Sequence, residues 1–142
     1  MFHNLRLLLF IIKITITSME QTLTIKNYHN GGGDLTLKLT GSIISGRVVG
    51  KTQIIKLTVV RKPDKHSSRL GMFAFLRRRP GYQSLGFSEM TLTIDIFSAD
   101  GKLTSKTIVV FFDVGVESVT ADGNDEKIIF TAGRKSDEFT VP

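Results

Sequence analysis

"SEMTLTIDIFSADGK", residues 88–102, decides how this chain is read. Met90, Leu92, Ile94 and Ile96 alternate with Glu89, Thr91, Thr93 and Asp95. A period of two fits a strand with one buried face, not a helix. The "ADGK" that closes the run is a turn signal. The same alternation recurs on both sides. Upstream, "TLTIKN" (22–27) and "DLTLKLT" (34–40) flank "NGGGD" (30–34), whose glycines suit a turn, so residues 22–40 read as a hairpin. "SIISGRVVG" (42–50) is a strand punctuated by glycine, and "QIIKLTVVRKP" (53–63) sets Ile55, Leu57 and Val59 against Lys56, Thr58 and Lys62. Downstream, "KLTSKTIVVFFDVG" (102–115) is β-branched and aromatic, and "ESVTADGNDEKIIFTAG" (117–133) reads as another hairpin.

These segments predict a mainly β fold, an antiparallel sheet or β-sandwich with little helix. Leu23, Ile25, Leu35, Leu37, Leu39, Ile55, Leu57, Val59, Leu92, Ile94 and Ile96 are its expected core. The stretch "RLGMFAFLRRRPGYQ" (69–83) is read as one more strand, apolar at first and surfacing at Arg77, Arg78 and Arg79. At 142 residues the chain suits one domain. Residues 1–18, apolar with Arg6 and Lys13, read as an N-terminal extension, from an upstream start or a weak signal, and residues 19–142 as a single β-domain. The apolar run Leu7–Ile12 is too short to span a membrane.

Several chemistries lack their residues. The chain has no cysteine, which removes disulfides, thiolate metal sites and thiol nucleophiles. His3, His29 and His66 have no companion at ligand spacing, and the acidic turns lack the full calcium-loop pattern, so no metal is expected. No phosphate loop, nucleophile elbow or opposed carboxylate pair occurs, so no catalytic residues and no cofactor are expected, and the protein is read as non-enzymatic.

Charge is the remaining lead. Residues 1–79 carry 14 lysines and arginines against 3 acids, while residues 80–142 carry 5 against 10. From Lys56 to Arg79 there are eight basic residues and one acid, Asp64, with Lys51 just outside. Arginine forks match phosphate oxygens, so Lys56, Arg61, Lys62, Arg69, Arg77, Arg78 and Arg79 are candidates for binding RNA or another polyanion. The alternative is a solvated cluster that protects a sheet edge. The apolar "TIVVFF" (107–112) points further to self-association as a dimer or larger homo-oligomer.

Read from Met19, the order of parts resembles the coat proteins of small single-stranded RNA bacteriophages. "TLTIKNYHNGGGDLTLKLTG" is similar to their N-terminal hairpin, "QIIKLTVVRKPDKHSSR" to their basic RNA-facing strand and loop, and "EMTLTIDIFSADGK" to a late strand of the sheet. The resemblance covers residues 19–100; the two C-terminal helices of that family have no counterpart in residues 100–142, which read as strands. It implies an RNA-binding coat protein, found in the virion or the host cytoplasm, with Lys56, Thr58, Lys62, Thr91 and Thr93 facing RNA. The competing reading is an immunoglobulin-like β-sandwich for binding or adhesion, secreted or at the cell surface.

Overall fold

The computed structural model describes residues 16–29 and 32–141. Its elements are β1 (Ile16–Ile25), β2 (Leu35–Leu39), β3 (Gly41–Val49), β4 (Thr52–Arg61), α1 (Ser67–Arg77), β5 (Phe87–Ser98), β6 (Leu103–Asp122), β7 (Asp125–Lys135) and β8 (Phe139–Val141). The mainly β, antiparallel expectation holds. Seven strands follow one another in the order β2-β1-β5-β6-β7-β4-β3, and β8 pairs with β6 beside this path.

The two ends of that path, β2 and β3, are separated in the chain by Thr40 alone. In a flat sheet they would stand six strand spacings apart, roughly 30 Å at about 4.8 Å each. One residue reaches only about 3.5 Å. The sheet must therefore curl until its ends meet, and Thr40 marks the closure: its N–H and its Oγ1 both donate to Val60 O of β4, at 2.8 and 3.0 Å. The strand that carries the curl is β6. Its first part pairs with β5 as far as Val114, and Phe111–Asp122 pair with β7. The change of partner coincides with Asp113 at φ 55° and a register shift between Val116 and Ser118, devices that bend a strand.

Curling turns one face of the sheet inward, while β8, beside the path, stays exposed. Leu23, Ile25, Leu35, Leu37, Ile55, Leu57, Val59 and Leu92 are buried as their alternation requires, together with Met90, Phe111, Val114, Val116, Ile128 and Phe130. Leu39, Ile94 and Ile96 are only half-buried. Leu39 and Ile94, which both pair with Gln21, pack against this core from its margin, and Ile96 lies between Met19 and Ser105. The hairpins β1–β2 and β6–β7 form in the segments expected; Asn30 and Gly31 of the first turn lie outside the described residues. So do residues 1–15 of the expected extension, and β1 begins at Ile16.

The segment read as a strand at residues 69–83 is instead the helix α1. Between Ser67 and Arg79 there is no valine, isoleucine or threonine, and leucine, methionine, alanine and arginine are strong helix formers. Leu70 and Ala74, four residues apart, are buried, and Phe73 packs on Phe87 with ring centroids 5.0 Å apart. The approach is set by a local turn: Ser67 N–H donates to Asp64 O, Asp64 N–H to Ser67 Oγ and His66 N–H to Asp64 Oδ1. The helix stops before Pro80, as the residue ahead of a proline disfavours helical geometry.

Candidate functional site

Most of the basic residues singled out by sequence are held in internal contacts. Arg61, at the end of β4, is 3% exposed. Its Nη1 donates to Glu126 Oε2 at 2.7 Å, its Nη2 pairs with Asp64, and Ser67 Oγ donates to the same Glu126 oxygen at 3.1 Å. Burial acts to raise the Asp64 pKa, but hydrogen bonds from Arg61 and the His66 N–H outweigh it, so that carboxyl sits below the usual aspartate range. Arg69 stacks over Tyr28 at 4.4 Å and Arg79 over Phe75 at 4.7 Å. Lys62 is exposed and free of ion pairs among the described residues.

At the far end of α1, Arg77 Nη1 donates to Thr131 Oγ1 at 2.6 Å and its Nε to Gln83 O at 3.3 Å. Arg78 Nη2 donates to Glu117 O at 3.2 Å, and the Glu117 carboxylate holds Lys56 Nζ at 2.9 Å. Thr131 pairs in register with Lys56, so the fold brings Arg77 and Arg78 to Lys56. It leaves Arg61 and Lys62 at the other end of β4. Thr58 faces outward beside Ile129. Thr91 and Thr93 face outward on β5, which β6 and β7 separate from β4. The ten candidates thus do not form one surface.

The barrel's outer faces carry apolar residues instead. Ile43 on β3, 69% exposed, pairs with Thr58 and through it with Ile129, a strip across β3, β4 and β7. Across the other half, Phe139 on β8, 64% exposed, pairs with Ile108 and through it with Thr93. Val141, two residues along β8 from Phe139, is exposed as well. These strips were hidden from sequence reading, since each isoleucine or phenylalanine looks like core until register shows its face.

One cluster was missed because its members are remote in sequence. His29 and His66 stand with ring centroids 6.2 Å apart, each edge-on to Tyr28, and Arg69 covers the phenol ring. Tyr28 is 1% exposed, its hydroxyl has no hydrogen-bond partner among the described residues, and burial pushes its pKa up. Among the described residues no three His, Asp or Glu side chains come together as a metal site, and no helix is long and apolar enough to cross a membrane.

No protein-family model matches the chain, and no curated protein matches its sequence. Solved structures do match its fold. The secreted protein Hcp3 from Pseudomonas aeruginosa superposes with a TM-score of 0.63 at 10% identity, over 87% of this chain and 97% of that one. Hcp1 from E. coli matches with a TM-score of 0.55 at 12% identity over 87% and 97% of the two chains. A type six secretion system protein matches with a TM-score of 0.52 at 16% identity over 86% and 92%. The fold is Hcp-like. This overturns the resemblance to phage coat proteins, and with it the capsid, virion and RNA-binding readings. The alternating threonine strands that carried that resemblance are common to antiparallel sheets whose outer face meets water. The basic segment, the other ground for RNA, has Arg61, Lys56 and Arg77 tied to Glu126, Glu117 and Thr131.

Proposed function

We propose that this chain is a structural, non-enzymatic subunit that associates with its own copies into rings or tubes of a secretion apparatus and is exported in that role. The observation that carries the reading is the end-to-end likeness to secreted Hcp3, over 87% of this chain and 97% of that protein. An exported β-module, the second of the two sequence readings, accords with this likeness; a virion protein does not.

The surface geometry adds support. The Ile43–Thr58–Ile129 strip and the Phe139–Ile108–Thr93 strip lie on different parts of the curled sheet and differ in composition. A contact between two unlike patches is head-to-tail, and head-to-tail contacts close into rings when the rotation allows. Burying a phenylalanine or isoleucine from each side contributes about 1.5 to 3 kcal/mol per side chain. Negative-stain electron microscopy of the purified protein should show closed rings, and Ile43→Lys, which places a charge on the first strip without touching the core, should disperse them. Rings that persist in Ile43→Lys would remove this strip from the interface; an absence of rings in the wild type would remove the proposal.

A further inference from the structure

Among the described residues the barrel seam is closed by the Thr40 bonds to Val60 O and, beside them, by Ser42 Oγ of β3 donating to Gln21 Oε1 of β1; below that point it splays. Beyond the Thr40–Val60 bonds, β2 runs back toward Leu35 while the chain leaving β4 continues through Arg61, Lys62, Pro63 and Asp64. Between them lies a groove of about 560 Å³, lined by Thr36, Lys38 and Thr40 on one wall and Arg61, Lys62 and Asp64 on the other. Among the described residues β2 pairs with β1 and with no other strand, so one of its edges faces this groove.

The register says which groups that edge presents. Lys26 N–H donates to Glu89 O on β5, so by alternation Thr22 and Thr24 also point their amides at β5 while Gln21, Leu23 and Ile25 point at β2. Their partners Leu39, Leu37 and Leu35 then hold the β1–β2 bonds, and Thr36 and Lys38 turn their N–H and C=O groups away from β1. Thr40 agrees, since its N–H points across the seam to Val60. Thr36 and Lys38 therefore offer a row of unpaired main-chain donors and acceptors to the groove, the template for adding a strand.

The side chains around it choose the occupant. Lys38 and Lys62 are exposed and have no ion pair among the described residues, whereas Asp64 on the lining is already held by Arg61 and the His66 N–H. The free charge in the groove is positive. An added strand would set alternate residues beside inward Leu37 and Leu39 and outward Thr36 and Lys38. We infer that the groove between β2 and residues 61–64 binds an extended peptide in which apolar residues alternate with carboxylates, taken up as an extra strand on the free edge of β2. The volume falls in the range of peptide and small-ligand sites, roughly 300 to 1,000 Å³.

The test uses the full chain and a fluorescein-labelled nine-residue peptide alternating valine and glutamate, followed by anisotropy. Saturable binding is expected, with a peptide alternating valine and lysine failing to bind. Lys38→Glu with Lys62→Glu should weaken binding by about three- to tenfold, the scale of two exposed ion pairs. Thr36→Pro removes an amide from the free edge and none from the β1–β2 ladder, so the circular dichroism spectrum should be kept and binding lost. A second arm needs no variant: methylating the peptide nitrogens on the edge that faces β2 should abolish binding, and methylating the opposite edge should not. Absence of binding, equal binding of the lysine peptide, or indifference to both backbone changes would overturn the inference. Should Thr36→Pro fail to fold, the methylated peptides decide alone.

Discussion

The guanidinium of Arg77 occupies the space in which any side chain on Gly115 would stand: a Cβ at position 115 would overlap Nη1 and Cζ. The glycine lets an arginine from the end of α1 lie across β6 and reach Thr131 Oγ1 on β7, tying the helix to two strands. Gly115→Ala should displace Arg77 and cost about 1 to 3 kcal/mol in urea denaturation, the range for overpacking a tight site. In an Arg77→Ala background the same change should cost clearly less, because the two residues share one contact. Equal costs in both backgrounds would show that the glycine serves the backbone rather than the arginine.

Glu126 and Arg61 form a buried pair, each less than a tenth exposed, with Ser67 Oγ donating to the same carboxylate oxygen. Removing one partner strands the other charge in the interior. Glu126→Ala should destabilise by about 3 to 5 kcal/mol, measured by denaturant titration, and Arg61→Met with Glu126→Leu should recover most of that loss. A Glu126→Ala protein as stable as wild type would mean that water reaches Arg61.

Tyr28 buries a hydroxyl that has no partner among the described residues. Tyr28→Phe keeps the ring against Phe87, at 5.8 Å between centroids, and removes an unsatisfied polar group. It should raise stability by about 1 kcal/mol, seen as a higher Tm by calorimetry. The folded protein also holds this phenol above its ordinary pKa, so stability should fall as pH rises past about 10, and Tyr28→Phe should lessen that alkaline loss.

Asp64 titrates in the opposite sense. Its folded pKa is lowered from the ordinary value of 3.8, so the carboxylate adds stability above that pH and the contribution is lost as pH falls through the folded pKa. Asp64→Asn should be less stable than wild type at neutral pH, and the gap should narrow in acid unfolding curves below about pH 4. A gap constant down to pH 2 would place the effect in the turn before α1 rather than in the charge.

The strands were legible because alternation such as Leu92 and Ile94 against Thr91 and Thr93 depends on two neighbouring residues only. The helix was not, because an eleven-residue element, about three turns, shows only one short buried stripe at Leu70, Phe73 and Ala74, beside an apolar run that also fits a strand. Its one local signal was the lack of β-branched residues. The basic cluster misled for a different reason. Charge reads as surface until partners are known, and Glu126, 65 residues from Arg61, and Glu117, 61 residues from Lys56, become neighbours only when β4, β7 and β6 assemble. Gly115 could have been noticed, since glycine inside a strand marks a bend or a close approach.

Sedimentation velocity of the purified chain over a range of micromolar concentrations tests the central claim, self-association into rings, most directly. The account predicts one closed species of several copies in exchange with monomer, whose share falls sharply in Ile43→Lys. A wild-type protein that sediments as monomer throughout that range would contradict it.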